Sequence, residues 1–83
     1  MENYSQYFGD PNFMTPHVIE YGSAGKYIYE LSTGRGFKKD SRLYGITVIN
    51  IDDPEKKYNH EKSKCFYSED EAYDYINTLK EEV

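Results

Sequence analysis

Residues 26–32 show the clearest alternation of hydrophobic and polar positions in the chain, and period two is typical of a β-strand. One face of this stretch is predicted to lie on a core; it holds Tyr27, Tyr29 and Leu31. The other face holds Lys26, Ile28 and Glu30. The residues are mostly good β-formers, and no helix cap precedes them, so a helix is not expected.

Three other stretches predict strands. Residues 17–21 form a short β-prone run, and residues 63–67 alternate again before the C-terminal segment. Residues 43–51 are the most apolar and β-branched part of the chain, which predicts a central strand covered at least partly on both sides. Gly45 within this strand indicates a bulge or a close approach by another part of the backbone.

The connections between these strands are short. Residues 22–25, with glycine at both ends, suit a hairpin loop. Residues 33–42 form a glycine-containing basic loop, and Pro54 ends the central strand because proline cannot donate to a strand ladder. Sequential strands with such connections pair antiparallel more easily than they cross over.

The C-terminal segment carries the most specific local signal. Ser68 and Glu71 form a capping box, in which each side chain can bond the other residue's backbone amide. The helix that follows places one apolar stripe at spacings of four, three and four residues: Ala72, Ile76, Leu79 and Val83. This stripe predicts that the helix packs on the sheet.

The predicted fold class is therefore α+β: a small antiparallel sheet of three to four strands in a meander, with one C-terminal helix packed on one face. Residues 17–83 are predicted to form this single domain. Residues 1–16 form an N-terminal aromatic arm, in which Tyr4, Tyr7 and Phe8 suit one helical turn. The arm is expected either to dock on the sheet or to be weakly ordered.

Composition adds two further points. Ten tyrosines and four phenylalanines supply the aromatic content, so the tyrosines either build a core with hydroxyls at its rim or present an adhesive surface. The net charge is −5, and residues 69–83 hold all of it, with six acids and one base. Residues 35–64 are mildly basic, with eight bases and five acids. The domain is thus expected to be a dipole.

The cysteine count and the hydropathy pattern bear on location. Cys65 is the single cysteine, so no internal disulfide can form, which favours a reducing compartment. No apolar run approaches the roughly 18 residues of a membrane span, and the first residues lack the pattern of a signal peptide. A cytoplasmic protein without a membrane partner is expected.

Residues that could support catalysis or metal binding are few. His17 and His60 have no neighbouring motif, and three Cys and His residues in all are too few for a structural zinc site. The acids near Pro54 lack the spacing of a calcium loop. Cys65 is expected to be a buried small apolar residue; the alternative, beside Lys64 and a helix start, is a reactive thiolate. No enzyme, metal or cofactor is expected.

The basic loop is the strongest candidate for a binding site. Its two glycines resemble part of a phosphate loop, but here they join two strands instead of opening a helix, which argues against nucleotide chemistry. An aromatic side chain among cations suits a nucleic-acid backbone with one stacked base, or an acidic protein surface. The candidate residues are Arg35, Phe37, Lys38, Lys39 and Arg42. The alternative interpretation is a solvated hairpin whose charges maintain solubility.

Residues 66–75 resemble the junction between the last strand and the helix of three-stranded-sheet-plus-helix DNA-binding domains. That family includes a plant type and the arm-binding domains of tyrosine recombinases. In the family, the sheet enters the major groove and its early strands supply Arg and Trp. This chain has no Trp and carries residues 27–30, Tyr-Ile-Tyr-Glu, at that place. The resemblance therefore supplies no base-reading residues.

Two functions follow as hypotheses. The first is a small non-enzymatic protein-interaction or regulatory module, of the kind that phages and mobile elements encode, with another protein as its partner. It can use exposed tyrosines or an acidic helix face made of Glu69, Asp70, Asp74 and Glu81. The second is a nucleic-acid-binding domain that uses the basic loop at residues 35–42.

Overall fold

The sheet and the helix predicted from the sequence are both present in the computed structural model, which describes residues 4–82. The strands are β1 (His17–Ala24), β2 (Tyr27–Arg35), β3 (Arg42–Asn50) and β4 (Lys64–Phe66), and the helix is α1 (Glu69–Glu81). A short 3₁₀ helix, Tyr4–Tyr7, precedes them. The four strands pair antiparallel in the order β1-β2-β3-β4, and α1 packs against the sheet. The α+β prediction is confirmed.

Helix α1 begins as the capping signal predicts. The Ser68 hydroxyl accepts a hydrogen bond from the Glu71 amide at 3.4 Å, and acidic side chains occupy the first turn. Ala72, Ile76 and Leu79 are the buried residues of the helix. Val83, the fourth residue of the predicted stripe, lies outside the described residues.

The main core lies between α1 and one face of the sheet. Its buried members are Ala24, Tyr27, Tyr29, Leu31, Ile46, Val48, Ala72, Ile76 and Leu79. The rings of Tyr73 and Tyr75 pack at its edge, and the Tyr75 hydroxyl donates to the Lys62 carbonyl at 2.6 Å. These tyrosines are core residues with hydroxyls at the rim, which is one of the two uses that composition allowed.

Glu20 on β1 connects the helix to the sheet. One carboxylate oxygen accepts from the Tyr29 hydroxyl at 2.6 Å, and the other accepts from the Tyr73 hydroxyl at 2.8 Å. The bond to this carboxylate, together with partial burial, raises the pKa of Tyr73 to about 12. A single acid thus bonds one tyrosine of β2 and one of α1 across the core edge.

The second face of the sheet is also covered, by the N-terminal segment. Phe8 is 8% exposed and forms a small cluster with Ile28 and Ile49, both 0% exposed. Farther along the segment, Thr15 is buried and its hydroxyl accepts from the Ser32 hydroxyl at 2.9 Å. The described part of the aromatic arm therefore lies on the sheet as a second, thinner layer.

Ile28 and Glu30 lie on the face of β2 beneath this layer. Ile28 is fully buried and Glu30 is 3% exposed. The alternation correctly places them opposite Tyr27, Tyr29 and Leu31. It does not reveal that a segment distant in sequence covers that opposite face.

The first hairpin also turns later than predicted. Strand β1 continues through Ala24, so the turn consists of Gly25 and Lys26 and not of residues 22–25. Gly25 has a φ of 61°, a conformation that glycine adopts at little cost. A Cβ at this position would also lie 3.0 Å from the Leu79 carbonyl oxygen, so the turn packs closely against the end of α1.

Glu30 gives a stability prediction, because its Oε2 is buried without a hydrogen-bond partner among the described residues. Burial raises the pKa of this carboxyl above its usual 4.5, and a hydrogen bond with the Tyr21 hydroxyl opposes that shift. A carboxyl with a raised folded-state pKa favours the protonated form. Its ionisation destabilises the fold as pH rises through the interval between the unfolded-state and folded-state pKa values.

We therefore expect Glu30→Met to raise the free energy of unfolding by about 1–3 kcal/mol at neutral pH, since it removes an unpaired buried oxygen at similar volume. The gain should shrink at acidic pH, where wild-type Glu30 is protonated. Urea denaturation of both proteins at several pH values measures the difference. A variant less stable than wild type at neutral pH would show that the carboxylate is a favourable part of the fold.

Candidate binding surface at the hairpin end

The hairpin between β2 and β3 projects beyond the rest of the sheet. Strand β1 begins at His17, opposite Thr33, and β4 ends at Phe66, opposite Tyr44. The β2–β3 pairing continues past these points to Arg35 and Arg42. Residues 34–43 therefore extend past the ends of both neighbouring strands, and we call this segment the basic hairpin.

The tip of the basic hairpin has a defined conformation. The Gly36 amide donates to the Ser41 carbonyl at 2.9 Å, and the Ser41 amide donates to the Lys38 carbonyl at 3.1 Å. The Ser41 hydroxyl adds a bond of 2.7 Å to the same Lys38 carbonyl. Asp40 completes the turn with a φ of 63°, a left-handed conformation that Asp tolerates better than most residues. The turn at the tip is thus held by hydrogen bonds within the hairpin itself.

The structure brings the predicted basic-site residues together. All five line one open concavity of about 540 Å³ at the hairpin tip: Arg35, Phe37, Lys38, Lys39 and Arg42. Within residues 4–82, the ion pairs join Lys57 to Glu55 and Lys62 to Glu82, so none involves the basic hairpin. Its four cations are exposed at one end of the molecule, with Asp40 as the one acid among them.

Two phenylalanines are exposed at this end. Phe37 is 75% exposed and Phe13 is 88% exposed, and both line a second hollow beside the hairpin together with Met14 and Arg35. A side chain at Gly34 would collide with the Met14 carbonyl, so the glycine lets the N-terminal segment lie directly on the hairpin. That contact positions Phe13.

Phe13 is not among the site residues that the sequence predicts. Its segment was assigned to the aromatic arm, and no local pattern separates an exposed phenylalanine from one that docks, as Phe8 does. Phe13 lies at the site because the segment before Pro16 packs directly on Gly34, and this contact is visible only in the folded chain.

The alternative acidic surface is also exposed. Asp70, Asp74 and Glu81 share the side of α1 that lies opposite its buried residues, and Glu69 is exposed at the helix start. No described basic side chain forms an ion pair with any of the four. An exposed acidic face is ordinary for an amphipathic helix, and acids near the helix start also favour its dipole.

The remaining candidates lie elsewhere. Cys65 is exposed, so the expectation of a buried apolar residue is wrong; it lies on the sheet face opposite α1, next to Gly45. Cys65 and His60 line a cleft separate from the basic hairpin, and Lys64 lies there as well. His17 is exposed and lines the hollow with Phe13.

Among residues 4–82, no group of three or more His, Cys, Asp or Glu side chains is placed to hold a metal ion. In the same part of the chain, no helix has both the length and the apolar character needed to cross a membrane.

Fold and surface together define a small α+β domain with a projecting basic and aromatic hairpin. Comparisons of the chain with protein-family models, with curated proteins and with solved structures find no match.

Proposed function

We propose that this protein is a non-enzymatic interaction module that binds an acidic segment of a partner protein through the basic hairpin. The proposal rests on one observation: two exposed phenylalanines lie beside four exposed cations that form no ion pair with any residue the structure describes, on a hairpin that projects from the sheet. The proposal includes a cytoplasmic location. It also includes a regulatory or accessory role of the kind that proteins encoded by phages and mobile elements have.

The two kinds of side chain have different tasks in such a contact. Burial of an exposed phenylalanine side chain contributes about 1.5–3 kcal/mol to binding, so Phe13 and Phe37 supply most of the affinity. Lys38 and Lys39, at the tip, attract an acidic segment and orient its approach. The bound segment therefore combines carboxylates with at least one apolar side chain.

The overall charge favours a protein partner over a nucleic acid. The chain carries −5 even with the basic hairpin included, so the remainder of the molecule repels a polyanion. A short acidic peptide can contact the hairpin end alone. A long nucleic acid would extend along the acidic body.

The test uses a short fluorescein-labelled synthetic peptide that alternates Glu with Leu and Phe. Its binding is followed by fluorescence anisotropy at about 50 mM salt, where surface electrostatics is weakly screened. We expect Phe37→Ala to weaken binding about 5- to 30-fold, the effect of losing about 1–2 kcal/mol of contact. Tyr67→Ala is the matched control, because Tyr67 is an exposed aromatic residue (57%) outside the hairpin.

Charge is tested by a second pair of variants. The double substitution Lys38→Ala and Lys39→Ala should weaken binding and reduce its salt dependence, whereas Lys57→Ala with Lys80→Ala removes the same charge elsewhere and should have little effect. Equal losses in the two double variants would mean that net charge governs binding. That result, or a failure of the peptide to bind wild type, would refute the proposed function.

Nucleic-acid binding is the second candidate, favoured by the position of Phe37 among the four cations. A labelled oligothymidylate in the same assay examines it directly. If the oligonucleotide binds wild type more tightly than the peptide, with an affinity that falls steeply as salt rises, this candidate replaces the first.

A further inference from the structure

A polar cleft lies on the second face of the sheet, apart from the basic hairpin. It occupies about 330 Å³ between the N-terminal segment, the loop after β3, and strands β3 and β4. Strand register builds its floor: Glu30 pairs with Thr47, and the neighbouring row holds Gly45 opposite Cys65. A cleft of this size holds a molecule about as large as an amino acid.

Gly45 lets the Thr15 side chain lie close to the floor of the cleft. A Cβ at this position would lie 3.1 Å from the Thr15 hydroxyl and 3.5 Å from the Ser32 hydroxyl. The same sheet face is filled near Ile28 and Ile49, where Phe8 packs on it. Over Gly45 the smaller Thr15 side chain takes the corresponding place.

Glu30 supplies the chemistry of the floor. Glu30 is 3% exposed and lines the cleft, and its Oε2 has no hydrogen-bond partner among the described residues. Tyr21 pairs with Glu30 across the strands, and its hydroxyl interacts with the carboxyl. A buried acceptor without a donor is costly, and a ligand N–H at this point would remove that cost.

We propose that this cleft binds a small primary amine, whose ammonium group donates hydrogen bonds to the free oxygen of Glu30. A charge-assisted bond of this kind is stronger than a neutral one, and burial strengthens it further. Thr15 and Thr47 line the same cleft and offer hydroxyls to the remaining ammonium protons. Asp10 also lines it, which adds negative charge.

The other side chains around the cleft select among amines. His60 and Lys64 line it together with the acids. A ligand with both a carboxylate and an ammonium group can pair with the basic and the acidic side chains of the cleft. Amino acids and similar zwitterions therefore suit the cleft better than diamines. This site is independent of the basic hairpin and does not rest on the proposed protein partner.

Alkylation of Cys65 can report whether a ligand occupies the cleft, because this residue is exposed, lines the cleft and is the chain's single cysteine. The rate of its alkylation by iodoacetamide is measured with each probe at millimolar concentration. The probes are individual amino acids, butylamine and butyrate. We expect at least one amine-bearing probe to slow alkylation severalfold and butyrate to leave the rate unchanged.

Variants connect the protection to Glu30. Glu30→Gln keeps the shape of the side chain and removes its charge, so protection by the amine should be lost. Glu61→Gln changes an exposed acid that does not line the cleft, and it should retain protection. Circular dichroism and thermal melts establish that both variants fold. An absence of protection by every amine, equal protection by butyrate, or undiminished protection in folded Glu30→Gln would each overturn the proposal.

Discussion

Replacing Ile76 with Ala is expected to lower the free energy of unfolding by about 2–5 kcal/mol, the usual cost of a large-to-small change in a packed core. Ile76 is 2% exposed and lies in the core between α1 and the sheet. A domain of this size has a total stability of about 5–10 kcal/mol, so the variant loses a large fraction of it. Urea denaturation followed by circular dichroism measures the change.

The matched control for Ile76→Ala is its neighbour on the same helix. Asn77 is exposed, and its replacement by Ala should change stability by less than about 0.5 kcal/mol. If the two variants were equally stable, α1 would not pack on the sheet through its apolar stripe, and the fold described above would be incorrect.

Replacing Phe8 with Ala is expected to cost about 3–5 kcal/mol, because the ring covers Ile28 and Ile49 on the second face of the sheet. It also contacts two tyrosines, with ring centroids 5.6 Å from Tyr21 and 6.1 Å from Tyr58. The loss exposes buried aliphatic side chains of two central strands. Urea denaturation gives the stability, and hydrogen exchange of the β2 and β3 amides shows whether the second face has opened.

Phe13→Ala is the natural comparison for Phe8→Ala. It removes the same ring from the same segment, but Phe13 is 88% exposed, so stability should change by less than about 0.5 kcal/mol. A small effect of Phe8→Ala, equal to that of Phe13→Ala, would contradict the assignment of the N-terminal segment as a structural layer.

Local patterns in the sequence predicted the elements of the fold well. The capping box at Ser68 places the start of α1 correctly, because it depends only on residues that are adjacent in the chain. The alternation over residues 26–32 identifies both faces of β2, because side-chain direction in a strand has period two. Short connections then favour the meander order that the structure shows.

Tertiary contacts account for the features that the sequence did not predict. The alternation assigns Glu30 to the face opposite Tyr27, Tyr29 and Leu31, but it does not show that this residue is buried, with 3% exposure. Cys65 was expected to be buried, yet it is exposed, because β4 lies at the edge of the sheet and Gly45 beside it carries no side chain. Neither outcome can be inferred from spacing along the chain.

The candidate binding surface was predicted in part. The basic residues of the hairpin are adjacent in sequence, so their grouping follows from a single loop. The hairpin projects because β1 and β4 end before it does. The second exposed phenylalanine, Phe13, belongs to the N-terminal segment, which packs on the hairpin at Gly34. These features depend on strand register and on packing between distant segments.

The central claim is that the basic hairpin is the surface through which this protein binds. Chemical-shift perturbation in ¹H–¹⁵N spectra, recorded as the acidic peptide is added, tests it most directly. We predict that the largest shifts fall on amides of residues 34–43 and of the segment near Phe13, while amides of α1 remain unchanged. Shifts concentrated on the exposed face of α1, or spread evenly over the domain, would contradict the claim.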